Sequence, residues 1–122
     1  SCSKSQAAQK FFKNSNIKNI TAICSDFDNY LNTFEENEGF DIIFIDGNHT
    51  YEATKRYFNW ALNHLNTSGM IIFDDIYWSK DMTKAWREIF ASSAINLSMD
   101  LFIVGIIMKR EEQSKEHFRL KY

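Results

Sequence analysis

The sequence predicts an α/β layered sheet, mainly parallel with an antiparallel C-terminal edge, and three observations carry that prediction. Apolar strand-like runs alternate with helical patterns as far as residue 90. Two of the runs, "FDIIFI" at 40–45 and "MIIFD" at 70–74, stop at aspartates. Beyond residue 90 the pattern changes to short strands joined by polar turns, which is how antiparallel pairing reads.

Each element has its own local cause. Ser3 with Gln6 three residues later reads as a capping box opening a helix, with Ala7, Ala8, Phe11 and Phe12 on one face and "NSN" at 14–16 closing it. "NITAIC" at 19–24 reads as a short strand followed by the turn "SDFDN", and Tyr30, Leu31 and Phe34 suggest a brief helix. "FDIIFI" is apolar enough to be buried on both faces. From Tyr51 to Leu65 the positions Thr54, Tyr57, Phe58, Ala61, Leu62 and Leu65 follow helical spacing. "NTSG" at 66–69 signals a turn before the strand at 70–74. A further helix runs from about Lys80 to Phe90, capped by Ser79, with Met82, Ala85, Trp86 and Ile89 inward. The tail, "INLSMDLFIVGIIMKR" and "EHFRLKY", gives two or three strands, and Phe118, Leu120 and Tyr122 alternate with polar neighbours as a half-exposed strand requires.

Length and composition bound the class. One domain spanning residues 1–122 fits the length and can bury a core. At 44% hydrophobic and 25% charged, the chain has the composition of a soluble globular protein. A net charge of −2 argues against a nucleic-acid partner, and no run reaches the roughly 20 apolar residues a membrane helix needs. Cys2 and Cys24 have no metal-ligand spacing, so two reduced thiols in a cytoplasmic protein are expected.

Chemistry is expected where the parallel strands end, because open α/β sheets bind ligands beyond their carboxyl ends. Asp26 with Asp28, Asp46, and Asp74 with Asp75 all fall on that rim. If the strands at 40–45 and 70–73 are neighbours, about 5 Å apart, Asp46 meets the Asp74–Asp75 pair. Carboxylates so crowded call for a cation, a shared proton or a shell of donors. An all-oxygen set suits Mg²⁺, Mn²⁺ or Ca²⁺ better than zinc. The plainer alternatives stand beside these: a strand-end aspartate accepts backbone N–H groups in the next loop, and His49 caps the helix that follows. His64 and His117 read as surface residues. Tyr77 and Trp78 either wall a pocket or cover the core.

The run "FDIIFIDGNHTYEATKRYFNWALNHLNTSGMIIFDDIYWS" resembles the middle of the class I S-adenosylmethionine-dependent methyltransferases, in the O-methyltransferase-like branch with an Asp-Gly-x-His-x-Tyr signature. "NIKNITAICSDFDNYL" resembles that fold's third strand and acidic turn, and the tail resembles its closing antiparallel strands. The resemblance implies a Rossmann-like methyltransferase sheet and a small-molecule acceptor, methylated on oxygen. It places Asp26 and Phe27 against the adenine of the cofactor, and Asp46 beside the methyl-transfer centre. In metal-dependent relatives Asp46, Asp74 and Asp75 correspond to divalent-cation ligands, and His49 lies where a base could face the substrate.

The departure from that family is large. Gly39, Gly47, Gly69 and Gly105 are the only glycines and none forms a G-x-G, and the acid that binds the ribose hydroxyls has no counterpart. The chain therefore reads as a fragment missing the first two strands and inactive in isolation. Its 40–45 strand is left with an open apolar edge, and a homo-oligomer through that edge is expected. Two rival enzymes or signalling folds stand against this reading. The "DFD" of "SDFDN" fits a DxD-type glycosyltransferase, and Asp46 fits the phosphoacceptor of a receiver domain. A third alternative is a non-catalytic binding or assembly module.

Overall fold

The structure, a computed structural model, describes residues 2–35, 37–110 and 112–121. The chain divides into two compact units, Ser1–Glu35 and Glu36–Tyr122.

In the first unit α1 spans Cys2–Asn14 and α2 spans Phe27–Leu31. Ser3 lies inside α1, so it does not cap it. The expected stop at 14–16 has a clear mechanism. Asn16 adopts a left-handed φ of 60°, Ile17 N–H donates to the Phe12 carbonyl at 2.9 Å, and Asn16 N–H donates to that of Lys13 at 3.2 Å. This paired ending satisfies carbonyls the helix would otherwise orphan. The run 19–24 forms no strand. A strand needs a neighbour for its N–H and C=O groups, and the described residues of this unit include none. The Gln9 side chain instead donates to the Ala22 carbonyl, holding the run beside α1. Cys24 is disulfide-bonded, which overturns the expected pair of reduced thiols.

The second unit holds the sheet. Strands β1 (Phe40–Ile45), β2 (Leu65–Phe73), β3 (Leu97–Asp100), β4 (Gly105–Met108) and β5 (Glu116–Arg119) lie in the order β1-β2-β4-β3-β5 among the described residues. β1 and β2 are parallel, as are β3 and β5, while β4 runs against both of its neighbours. The antiparallel character thus comes from the single strand β4. Tyr122, expected to extend β5, lies outside the described residues. The turn signal "NTSG" appears as a bulge: Phe40 pairs with Leu65 but Ile42 with Met70, and Ser68 sits at φ 65° between them.

Helices α3 (Tyr51–His64) and α4 (Lys80–Ala91) form where the sequence predicts them. Thr50 caps α3 by accepting from Ala53 N–H at 3.3 Å, and Ser79 caps α4 by accepting from Met82 N–H at 3.1 Å. The cap of α3 is therefore Thr50, and His49 is released from that role. Phe58 and Ala61 of α3 and Met82, Trp86 and Ile89 of α4 pack with Ile71, Phe73 and Ile107 of the sheet into one core. Gly105 lets β4 approach the Trp86 ring, since a Cβ there would meet ring carbons at 2.6–2.8 Å.

Burial departs from expectation at two places, β1 and His64. β1 is not buried on both faces: Ile43 and Ile45 pack on the core, while Ile42 and Phe44 are 59% and 57% exposed. β1 is an edge strand, and in this unit the described helices shield one face of it. His64 is buried, stacked on Trp60 at 4.3 Å, with Nδ1 2.8 Å from the Trp60 carbonyl. His117 is exposed as expected but not idle. It stacks on Phe90 at 3.9 Å and lies 2.6 Å from Ser98 Oγ, fastening β5 to the sheet. Burial, chiefly, pushes its pKa below the usual histidine value.

Candidate active site

Register delivers the site. Ile45 pairs with Phe73 at the carboxyl ends of β1 and β2, so Asp46 and Asp74 leave the sheet at the same rim. Asp74 N–H donates to the Ile45 carbonyl at 3.1 Å, extending the ladder by one step. The chain then turns sharply at Asp75, which adopts a left-handed φ of 54°. Aspartate tolerates this region better than most residues. The turn brings the Asp75 carboxylate toward His49, with Oδ2 3.6 Å from Nε2. Asp46 Oδ1 stands 4.0 Å from the same nitrogen.

One ligand atom from each of Asp46, His49 and Asp75 lies within 4.8 Å of the other two. Asp74 does not belong to this group, although it shares the rim. His49 Nε2 is shut off from solvent and has no hydrogen-bond partner. Trp78 stacks on the imidazole with centroids 5.6 Å apart and is itself 70% exposed, so it forms the outer wall of the site.

The donor set suits a divalent cation. Two carboxylates and an imidazole converge, and the imidazole nitrogen is buried with its bonding capacity unspent. Replacing one expected carboxylate by imidazole moves the preference away from Ca²⁺ and Mg²⁺ toward Mn²⁺ and softer first-row ions.

The remaining acids serve local structure. Asp26 caps α2, its side chain accepting from Asp28 N–H at 3.1 Å. In the same unit Phe27 lines a small cleft of about 260 Å³ with Thr21, Ile23, Ser25 and Tyr30.

Sequence reading missed Asp100, at the carboxyl end of β3 and hence on the same rim as Asp46. It is 1% exposed and accepts from Tyr77 Oη, from Trp86 Nε1 at 3.4 Å and from Phe102 N–H at 2.9 Å. Arg119 Nε stands 3.7 Å away. Burial pushes the Asp100 carboxyl upward, but the Tyr77, Phe102 and Trp86 hydrogen bonds with the Arg119 charge outweigh it and leave the pKa below the ordinary value. Burial, then the bond to Asp100, pushes Tyr77 up. Strand periodicity hid this residue, because in "SMDLF" Ser98 and Asp100 alternate with apolar neighbours as solvent-facing strand positions do.

Comparison with known proteins bears on the family and the fold. A family profile described as "Methyltransferase domain" matches residues 2–76. The chain therefore belongs to that methyltransferase family. An uncharacterized protein, R132, of Acanthamoeba polyphaga mimivirus is 39% identical over 56 residues, covering 43% of this chain and 25% of that protein. The crystal structure of an O-methyltransferase from Bacillus cereus in complex with SAH superposes with a TM-score of 0.67 at 20% identity. That superposition covers 89% of this chain and 60% of the other, and at this identity it shows the fold alone. The chain thus spans a quarter to three-fifths of the length of these two proteins.

Proposed function

We propose that this chain contributes the acceptor-side part of an S-adenosylmethionine-dependent methyltransferase domain acting on the oxygen of a small molecule. The observation that carries this reading is the convergence of Asp46, His49 and Asp75 at the carboxyl rim in a chain of a methyltransferase family. The family match runs from residue 2 to residue 76, across the division at Glu35, and the reading takes 1–122 as one domain. In this reading Phe27 and Asp26 border the adenine of the cofactor, supported by the cleft beside Phe27.

S-adenosylmethionine supplies an electrophilic sulfonium methyl when bound, and a divalent cation supplies positive charge beside the acceptor oxygen. Asp46, His49 and Asp75 would hold that cation, whose charge would help orient an acceptor hydroxyl, so the protein's own work is positioning and charge stabilisation. Trp78 covers His49 and limits water at the site. Where no cation is bound, the unpartnered Nε2 of His49 is placed to take the hydroxyl proton.

Four glycines with no G-x-G among them do not make the backbone cradle that the methionine part of the cofactor needs. The 122 residues alone are accordingly read as catalytically silent. Calorimetry with S-adenosylhomocysteine tests both points. No binding is expected to the 122 residues alone, and saturable binding to them would refute this reading. Binding of a nucleotide-sugar in place of S-adenosylhomocysteine would instead favour the DxD reading of "SDFDN".

A homo-oligomer through β1 belongs to the same proposal. β1 is an edge strand carrying exposed Ile42 and Phe44, a surface that invites pairing. Light scattering is expected to give a mass above the monomer, and Ile42→Lys to return it to the monomer. A wild-type chain that stays monomeric at high concentration would rule the interface out.

A further inference from the structure

We propose that a cleft between the β3–β4 turn and β5 binds an organic anion, a carboxylate or phosphate ester carried on an apolar body. The site stands whether or not the Asp46 centre transfers methyl groups. The cleft encloses about 720 Å³, within the range of small-molecule sites. Its charge is unbalanced. Among the described residues Arg87, Arg119 and Lys121 line it against the single carboxylate of Asp100, so three cations against one anion leave two in excess. Asp100 is already engaged by Tyr77, Trp86 and Phe102. Arg119 spends part of its guanidinium on Asp100 and donates to Tyr77 Oη at 3.1 Å, leaving donors that a fork-shaped anion can use. Among the described residues neither Arg87 nor Lys121 has an ion-pair partner.

The apolar half of the cleft is held open by the fold. Phe102 is 68% exposed and adopts a left-handed φ of 74°, which is unusual for a bulky residue. Three bonds fix it there: Phe102 N–H to Asp100 Oδ1 at 2.9 Å, Leu101 N–H to the Val104 carbonyl at 2.9 Å, and Ile76 N–H to the Ile103 carbonyl at 3.2 Å. Phe102, Ile103 and Leu120 are thereby presented to solvent rather than packed, with the Tyr77 ring 5.7 Å from that of Phe102. A neutral apolar ligand would leave the cations unused. A bare ion would leave the apolar wall wet. A ligand with both parts satisfies both, and a rigid wall lowers the entropic cost of holding it.

Amide-resolved NMR titration with phenyl phosphate tests the site. Saturable shifts are expected at Phe102, Ile103, Leu120 and Lys121. Benzyl alcohol and inorganic phosphate are each expected to bind at least about tenfold more weakly, since each offers half of the recognised chemistry. Benzoate run in parallel separates a carboxylate site from a phosphate site. Arg87→Gln and Lys121→Gln, both at exposed positions, are each expected to weaken phenyl phosphate about fivefold while leaving the melting temperature unchanged. Equal affinity for benzyl alcohol, equal affinity for inorganic phosphate, or shifts centred away from these residues would each overturn the proposal.

Discussion

Asp100→Ala is expected to destabilise the second unit by about 3 kcal/mol, among the largest effects of any single side chain on this rim. The cost comes from what is left behind. Tyr77 Oη and Trp86 Nε1 lose a buried acceptor, and each such orphan costs about 1–3 kcal/mol. Phe102 N–H also loses its partner, and its strained turn loses a restraint. The ion pair itself adds little. Arg119 is 60% exposed, and an exposed guanidinium gains about 0–1 kcal/mol from its partner. Arg119→Gln should accordingly cost under about 1 kcal/mol. Urea midpoints of the three proteins at pH 7 check the order, and equal losses for Asp100→Ala and Arg119→Gln would refute it.

Acidity gives the same prediction a second handle. The folded pKa of Asp100 lies below its ordinary value of 3.8. The unfolded chain therefore binds this proton more readily, so stability rises with pH across that interval. The contribution is fully present above about pH 3.8 and is lost as pH falls through the lower folded value. Asp100→Asn keeps the shape and removes this component of the acid slope, so wild type and variant should converge in stability near the bottom of the range.

Much of this architecture is legible in the sequence because it rests on local rules. Ser79 caps α4 as its position before the helix predicts, and the two strand-end aspartates mark a common rim because parallel neighbours end together. The parts that misled are decided by partners distant in sequence. The run 19–24 has strand-like residues but no strand to pair with among the described residues of its unit. "FDIIFI" reads as doubly buried, yet as an edge strand it shows Ile42 and Phe44 to solvent. Asp100 gains its role from Tyr77, Trp86 and Phe102, two of which lie in earlier elements of the chain. His49 falls between alternatives for a simpler reason. Thr50, one residue on, takes the cap, and the imidazole is left to face the carboxylates.

That freed imidazole sets the second large effect. His49→Ala is expected to weaken Mn²⁺ binding by at least about tenfold, or about 1.4 kcal/mol, measured by calorimetry or by the electron-spin signal of free Mn²⁺. Asp75→Asn should weaken it comparably by removing a charge. It is also the cleanest substitution there, because asparagine accepts the left-handed φ of 54° that alanine would resist. Asp74→Asn is the control: its backbone extends the ladder, but its carboxylate lies outside the converging group. Adjacent aspartates on one strand end thus make opposite predictions, although the sequence presents them as equals. The difference is the sharp turn at Asp75, which re-aims one carboxylate and leaves the other where the strand puts it. Should Asp74→Asn abolish Mn²⁺ binding while His49→Ala spares it, the cation would sit on an oxygen-only site, and the chemistry assigned to His49 would pass to proton transfer alone.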